Sequence, residues 1–412
     1  MSRFDYKWRV LGFLFVAFFL ELGSRQLYGA ALPQIRSEFL RFGVTDAQLG
    51  MVGSVFGAVF GLALVVSGLA ADLLGRKRVL VAGTLLFSVG ILGSGFARGI
   101  GAMMVFYGVL NALGQCCVAP ASYALISKYH KETRSTAMAV FQSAVYSGII
   151  LSSLFGGLMA ERGEGVWRWA FWLMGAAGII WAAVMQFGMR PEPAAGGGDV
   201  KDEASIKEAF RALLGKPTAV LIAVAFGFFM YANLGLRLWT PMFLTRSFEG
   251  VGTAKAALHG VLWVNVGSFI SCMIVAKAVD RFGAGRPRIR LEVSALGFLL
   301  CIAPMIWVSQ AQSFGSCCAA LGTLGLAIGV YDAAHYPAMF DCIAPRYRSA
   351  ATGITGCMAF VMGSFAPAVL GWMGDVMSMR AAFASLGAFY LAGAAVLLPA
   401  LIWFFEKDRE RD

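Results

Sequence analysis

The chain has 412 residues, of which 59% are hydrophobic and 14% charged, and its mean hydropathy is +0.72. Soluble domains run at roughly 45–50% apolar and about 25% charged, so a soluble fold is excluded, as are a disordered, collagenous or disulfide-knitted secreted chain. The net charge of +11 raises the question of a nucleic-acid partner, and the placement of that charge answers it.

Apolar runs of about 20 residues, the length that crosses a bilayer, occur twelve times. They lie at 10–32, 47–70, 78–97, 102–126, 136–159, 168–189, 218–243, 257–279, 291–309, 313–340, 351–373 and 381–404. The first is too long and too interrupted by polar residues for a cleaved signal peptide, and no small-residue cleavage site follows it. With the N-terminus placed in the cytoplasm, the tails and even-numbered links hold 23 Lys and Arg and the odd-numbered links hold 8. The positive-inside rule therefore predicts two cytoplasmic termini. The same distribution accounts for the basic balance, and no aromatic-and-basic stripe marks a nucleic-acid groove. The eight cysteines lie in or beside the runs, none as a CxxC pair, and read as small reduced packing residues.

The longest link, 190–217, carries Pro191, Pro193, Gly196, Gly197 and Gly198 before a charged amphipathic stretch. This predicts an N-terminal six-helix bundle over 1–190, a cytoplasmic linker over 191–217 and a C-terminal six-helix bundle over 218–412. Landmarks recur between the halves: Asp72 and Gly75 as Asp280 and Gly283, Arg134-Ser135 as Arg348-Ser349, Arg168 and Phe171 as Arg380 and Phe383. The expected fold is all-α and polytopic, with twelve transmembrane helices in two six-helix pseudo-repeats. Parallel repeats of this kind are a transporter plan, with the substrate site at the repeat interface near mid-membrane. Phosphate-binding loops, metal-spaced histidines and Ser/His/Asp sets are missing, so neither an enzyme nor a cofactor or metal is expected.

After the second run the chain reads Gly68-Leu-Ala-Ala-Asp72-Leu-Leu-Gly75-Arg76-Lys77-Arg78, and after the eighth Ala276-Lys-Ala-Val-Asp280-Arg281-Phe-Gly283. The first stretch resembles the signature loop of the major facilitator superfamily, with Leu73 in place of the usual Arg. The loop reads as a helix-end clamp. Asp72, at a helix C-terminus, seeks a basic partner or a neighbouring helix N-terminus, while Gly68 and Gly75 allow close approach and a sharp turn. Gly68, Asp72, Gly75, Arg76, Asp280 and Arg281 are its expected members. A second match narrows the family. The first run contains Ser24-Arg25-Gln-Leu-Tyr28-Gly-Ala-Ala-Leu-Pro33, and the seventh Leu238-Trp239-Thr-Pro241. Both are similar to the anion:cation symporters and the organophosphate:phosphate antiporters, which carry sugar acids, carboxylates and phosphate esters. The resemblance implies that Arg25 binds the anionic group of the substrate.

Residue chemistry supplies the remaining candidates. A mid-span arginine is costly and normally faces a watered cavity with a partner, and a guanidinium grips a carboxylate or phosphate bidentately. Arg25 therefore reads as the binding cation, or as the partner of Glu21 one turn before it; the pair also offers a proton-coupling device. Arg237 stands 212 residues later at the repeat-equivalent position and reads either as a second anion ligand, on one face with Asn233, or as a cation reaching for the membrane surface. Tyr331, Asp332, His335 and Tyr336 cluster in the tenth run. Asp332 and His335, at i and i+3, suit a proton site or a buried packing pair. Tyr107, Asn111 and Gln115 repeat every four residues, suiting either sugar hydroxyls or helix-to-helix hydrogen bonds. Asp341 suggests a clamp with Arg346 or Arg348.

The expected substrate-binding set is thus Arg25, Arg237, Tyr28, Asn111, Gln115, Asn233, Tyr331 and His335, and the proton-coupling set Glu21, Asp332 and His335. The expected function is secondary active transport of a small organic anion, a sugar acid or carboxylate, with protons. Organophosphate exchange and export of drugs or lipids are the alternatives. The expected setting is a bacterial inner membrane and a monomer whose partners are the anion, protons and lipid.

Overall fold

A computed structural model describes residues 3–130, 132–190, 206–283, 285–286 and 288–409. Among them are twelve helices long and apolar enough to cross a membrane. They are α1 (Tyr6–Phe42), α2 (Asp46–Ser67), α3 (Arg76–Gly95), α4 (Ile100–Tyr129), α5 (Thr136–Glu161) and α6 (Trp167–Gly188), then α7 (Pro217–Ser247), α8 (Thr253–Gly283), α9 (Arg288–Gln310), α10 (Phe314–Phe340), α11 (Ala350–Val376) and α12 (Met379–Asp408). No strand occurs among the described residues. In lipid every backbone N–H and C=O must be satisfied within the segment, which a helix achieves by itself. Each apolar run of the sequence falls in one of these helices. The chain is a multi-pass membrane protein. Residues 191–205 of the expected linker lie outside the described residues; the charged stretch after them forms a short helix, Ile206–Leu214.

The chain forms two compact units: 1–200 together with 238–261, and 201–237 together with 262–412. Helix α7 thus contributes to both. In the first unit α1 packs along α5 and α3 along α6; in the second α9 packs along α10 and α12. Small residues let the backbones approach. A Cβ on Gly114 of α4 would stand 2.2 Å from the Phe87 nitrogen of α3, and one on Gly297 of α9 would stand 2.7 Å from the Tyr331 nitrogen of α10. Without a hydrophobic drive between helices in lipid, such close packing supplies much of the association.

The repeat is visible in helix-end chemistry. Arg168, at the start of α6, donates to the Ala97 carbonyl at the end of α3 (3.0 Å). Arg380, at the start of α12, donates to the Ser309 and Ala311 carbonyls at the end of α9 (3.0 and 2.9 Å). A cation on the orphan carbonyls of a helix C-terminus answers both their lost hydrogen bonds and the helix dipole.

Three of the helices are broken, each four residues or fewer before a proline. Proline lacks an N–H and its ring collides with the carbonyl at i−4. Helix α4 breaks at Cys116–Cys117 ahead of Pro120, α10 at Ala333–Ala334 ahead of Pro337, and α11 at Ser364 ahead of Pro367. Helix α4 also contains a π-helical stretch, Met104–Asn111, which widens the turn carrying Tyr107 and Asn111.

Candidate functional site

The first unit holds a buried polar cluster built around Arg25 in the middle of α1. Arg25 Nε donates to Gln115 Oε1 of α4 at 2.8 Å, and Nη2 to Glu21 Oε1 at 3.1 Å. Gln115 is held in turn: its Nε2 donates to the Glu21 carbonyl, Ser24 Oγ and Asn111 Oδ1 at 3.2, 3.0 and 2.9 Å. Tyr107 hydroxyl donates to the Arg25 carbonyl at 2.8 Å. The guanidinium carbon lies over the Phe60 and Phe56 rings of α2, 4.6 and 5.4 Å from their centroids, and a cation over an aromatic face is attracted by its quadrupole. Glu21 is 2% exposed while Arg25 is 23% exposed. The arginine is therefore clamped from three helices, yet part of its five-donor fork stays uncommitted. Glu21 Oε2 is buried without a hydrogen-bond partner among the described residues, an acceptor position open to a proton.

The polar stripe of α4 thus faces α1. Asn111 and Gln115 are fully buried; Gln115 holds Arg25, and Asn111 accepts from Gln115 through Oδ1 while its Nδ2 has no hydrogen-bond partner among the described residues. Tyr28 is also fully buried. Its hydroxyl donates to the Leu49 carbonyl at 2.8 Å and its ring packs on Tyr107.

A second ionic group in this unit was not anticipated from the sequence. Asp46, at the start of α2, accepts from Arg36 Nε of α1 at 2.5 Å and from Arg246 Nη1 and Nη2 of α7 at 2.6 and 3.1 Å. The carboxylate is 2% exposed and the two arginines 31% and 29%. At the start of α8 Thr253 donates to Gln34 Oε1 of α1 at 3.0 Å, and the Ala254 amide to Glu161 Oε2 of α5 at 3.3 Å. The local signal was the capping box of Thr45 and Gln48, which marks a helix start without naming either arginine.

In the second unit Arg237 of α7 is half-buried and within charge range of Asp332 on α10 and Tyr390 on α12. Ser268 of α8 donates to Asp332 Oδ2 at 3.3 Å. Tyr331, Tyr390 and His335 are buried, and among the described residues neither tyrosine hydroxyl nor either imidazole nitrogen has a well-formed hydrogen bond. Asn233 Nδ2 donates to the Phe229 carbonyl of its own helix at 3.0 Å. No side-chain hydrogen bond joins Asp332 to His335 among the described residues, and α10 breaks between them. His335 opens the next helical segment and stacks on Tyr331, with centroids 4.8 Å apart, and on Phe226.

The clamp residues have mixed outcomes. Gly75 links α2 to α3 with a φ of 92°, a left-handed conformation that glycine alone adopts freely. Arg76 opens the helix that follows. Gly68 and Asp72 lie inside the helix Asp46–Leu74; the surroundings of the Asp72 side chain lie outside the described residues. The buried cation of this loop is Lys77, whose Nζ donates to the Gln186 and Met189 carbonyls at the end of α6 (2.7 and 2.6 Å). Asp280 and Arg281 are exposed. At that end of the second unit the ion pair joins Asp341 to Arg290, while Arg348 donates to the Phe340 and Ile343 carbonyls. Asp341 therefore pairs with Arg290, and neither Arg346 nor Arg348 takes that place. Burial holds its carboxyl above the ordinary aspartate range against the lowering pull of Arg290.

Similar proteins agree with this architecture. The chain is 25% identical over 401 residues to an MFS-type efflux pump of Mycolicibacterium smegmatis, covering 95% of this chain and 91% of that one. It is 24% identical over 416 residues to the cis,cis-muconate transport protein of Acinetobacter baylyi, covering 97% and 94%. A crystal structure of a bacterial homologue of the human lysosomal transporter Spinster superposes with a TM-score of 0.85 at 20% identity, over 98% of this chain and 99% of that one; at that identity the likeness is one of fold. The sequence model of the Major Facilitator Superfamily matches residues 14–330, three-quarters of a chain whose twelve helices form the same fold, and the protein belongs to that superfamily.

Proposed function

We propose that this chain is a secondary active transporter that moves a small organic anion, a carboxylate or sugar acid, together with protons across a bacterial inner membrane. Both termini lie in the cytoplasm, and alternating access carries the substrate through. The carrying observation is Arg25: a mid-span guanidinium, held by Gln115 and Glu21 with part of its donor fork free. A cation fixed at that depth has to be compensated, and an anion that completes the fork does so. Arg237, balanced by Asp332, is the second ligand, and the orphaned hydroxyls of Tyr331 and Tyr390 and the ring of His335 offer hydrogen bonds around it. Glu21 is the coupling residue, because its free oxygen can take up a proton when a substrate anion claims Arg25. Cis,cis-muconate, in the name of one relative, is an organic anion.

Thermal shift of the purified protein against sugar acids, dicarboxylates and sugar phosphates tests the reading. One of these stabilises the wild type and fails to stabilise Arg25→Ala. Loss of one charge-assisted hydrogen bond amounts to about 1.5–3 kcal/mol, so Arg25→Lys, which keeps the charge but loses the fork, weakens binding by about 10- to 100-fold. Anions that bind Arg25→Ala as well as the wild type would refute the assignment. The name of the Mycolicibacterium relative favours export as the second reading. It predicts apolar ligands whose binding ignores Arg25→Ala.

A further inference from the structure

Helix α4 breaks where two cysteines stand side by side. Cys116 Sγ and Cys117 Sγ are 3.9 Å apart; each also lies against the Leu113 carbonyl, at 3.1 and 3.6 Å. Cys116 is buried and Cys117 half-buried. They follow Gln115 directly, and lie within charge range of Arg25 and Glu21 respectively. The turn exists because Pro120 cannot continue the hydrogen-bond ladder back to the Cys116 carbonyl.

Such a pair is poorly placed for a disulfide. Adjacent residues on a trans peptide have Cα atoms about 3.8 Å apart, short of the roughly 4.4–6.8 Å that disulfides span. Two thiols in contact suit instead a single soft centre bound by both, since thiolates select soft ions. Cys317 and Cys318 are also adjacent, but they lie inside the unbroken helix Phe314–Asp332 and both are buried. Neighbouring residues there project about 100° apart.

We propose that Cys116 and Cys117 form a dithiol site for one thiophilic centre, such as a trivalent arsenical, and that its occupation disturbs the adjacent Gln115 and with it the seat of Arg25. With an arsenoxide, two As–S bonds form. The oxide oxygen leaves as water with the two thiol protons, and arsenic stays trivalent, so no oxidant or reductant is needed.

Phenylarsine oxide is the probe, applied to the purified full-length protein. Intact mass spectrometry is expected to show one adduct that survives excess β-mercaptoethanol and is removed by 2,3-dimercaptopropanol. Peptide mapping of the wild type places it on the segment carrying both thiols, a result independent of any variant. Cys116→Ser and Cys117→Ser each lose the monothiol-resistant adduct, whereas Cys317→Ser keeps it. An adduct that maps to other cysteines, or that persists in either of the first two variants, overturns the site. The link to Arg25 rests on the transport reading and has its own readout: the adduct lowers the affinity of the stabilising anion at least tenfold. Unchanged affinity in the fully modified protein overturns that link and leaves the dithiol site standing on the mass spectra.

Discussion

Replacing Asp46 by asparagine keeps the shape of the side chain and removes the charge that holds Arg36 and Arg246 together. Three charge-assisted hydrogen bonds converge on this carboxylate. At about 1.5–3 kcal/mol each their gross value is large, but both arginines are nearly one-third exposed and water compensates much of the loss. The amide also leaves two guanidinium groups facing each other. A net loss of about 2 kcal/mol is expected, equivalent to roughly a 30-fold shift in the opening equilibrium of this corner. Thr253 reports that opening, because it is buried with its hydroxyl on Gln34, two residues before Arg36 on α1. The assay compares maleimide alkylation of Thr253→Cys with and without Asp46→Asn, read peptide by peptide, so the cost of the reporter cancels. The expected result is alkylation faster by about 10- to 30-fold in the double variant. Equal rates, with both proteins folded, would mean that the carboxylate does not hold the end of α7 to α1 and α2.

Three further outcomes follow from the structure. Glu21→Gln should still bind the substrate anion in a thermal-shift titration but fail to accumulate it against a gradient in proteoliposomes; unchanged pH-driven uptake removes Glu21 as the coupling residue. His130, just beyond α4, bonds to Thr133 Oγ1 and the Lys7 carbonyl, and its burial keeps the imidazole below the ordinary value of 6.5. Its folded pKa is therefore depressed, so the stability it confers is present above pH 6.5 and declines as the pH falls from there towards the depressed value. Melting temperatures between pH 8 and 5 should fall less steeply for His130→Gln than for wild type, and parallel curves would remove His130 as a contributor. Gly114→Ala drives a Cβ to within 2.2 Å of the Phe87 nitrogen and 2.6 Å of the Gly83 carbonyl. Backbone cannot yield as a side chain can, so a loss of about 3 kcal/mol should appear as a lower melting temperature in detergent.

What the sequence carries plainly is whatever depends on local pattern. Twelve helices follow from hydropathy, and the matched Arg168 and Arg380 mark the repeat because each meets a local need, the bare carbonyls of a nearby helix end. The breaks in α4, α10 and α11 were also written in Pro120, Pro337 and Pro367, although the i, i+3 reading of Asp332 and His335 assumed an unbroken helix. Harder to see was direction. Tyr107, Asn111 and Gln115 form a stripe on any helical wheel, but no wheel says that α1 is the neighbour, and the π-helical stretch shifts the phase on the way. Hardest was Asp46, whose second arginine lies 200 residues away. Nothing in a stretch of chain records a partner at that distance.

The two halves agree in their helix ends and differ in their polar centres, and the reason is physical. A helix C-terminus presents the same orphan carbonyls wherever it occurs, so the same arginine answers it in both halves. The mid-span arginines face different demands. Arg25 is neutralised from its own helix by Glu21 and steered by Gln115 on α4, whereas Arg237 has its counter-charge on α10, in Asp332. A counter-ion on the same helix moves with its arginine when helices shift, and one on another helix need not. If the halves rock during transport as bodies, both pairs should persist, and only a shift of α7 against α10 within the second unit changes the Arg237–Asp332 distance. Under the proposed function Arg237 is a substrate ligand, and the alternative is a structural partner of Asp332. A charge swap separates the cases. Exchanging Arg237 and Asp332 (Arg237→Asp with Asp332→Arg) should restore stability lost in either single variant but not transport, because the substrate then meets the cation from the wrong helix. Recovery of transport in the swap would show that this pair serves structure alone.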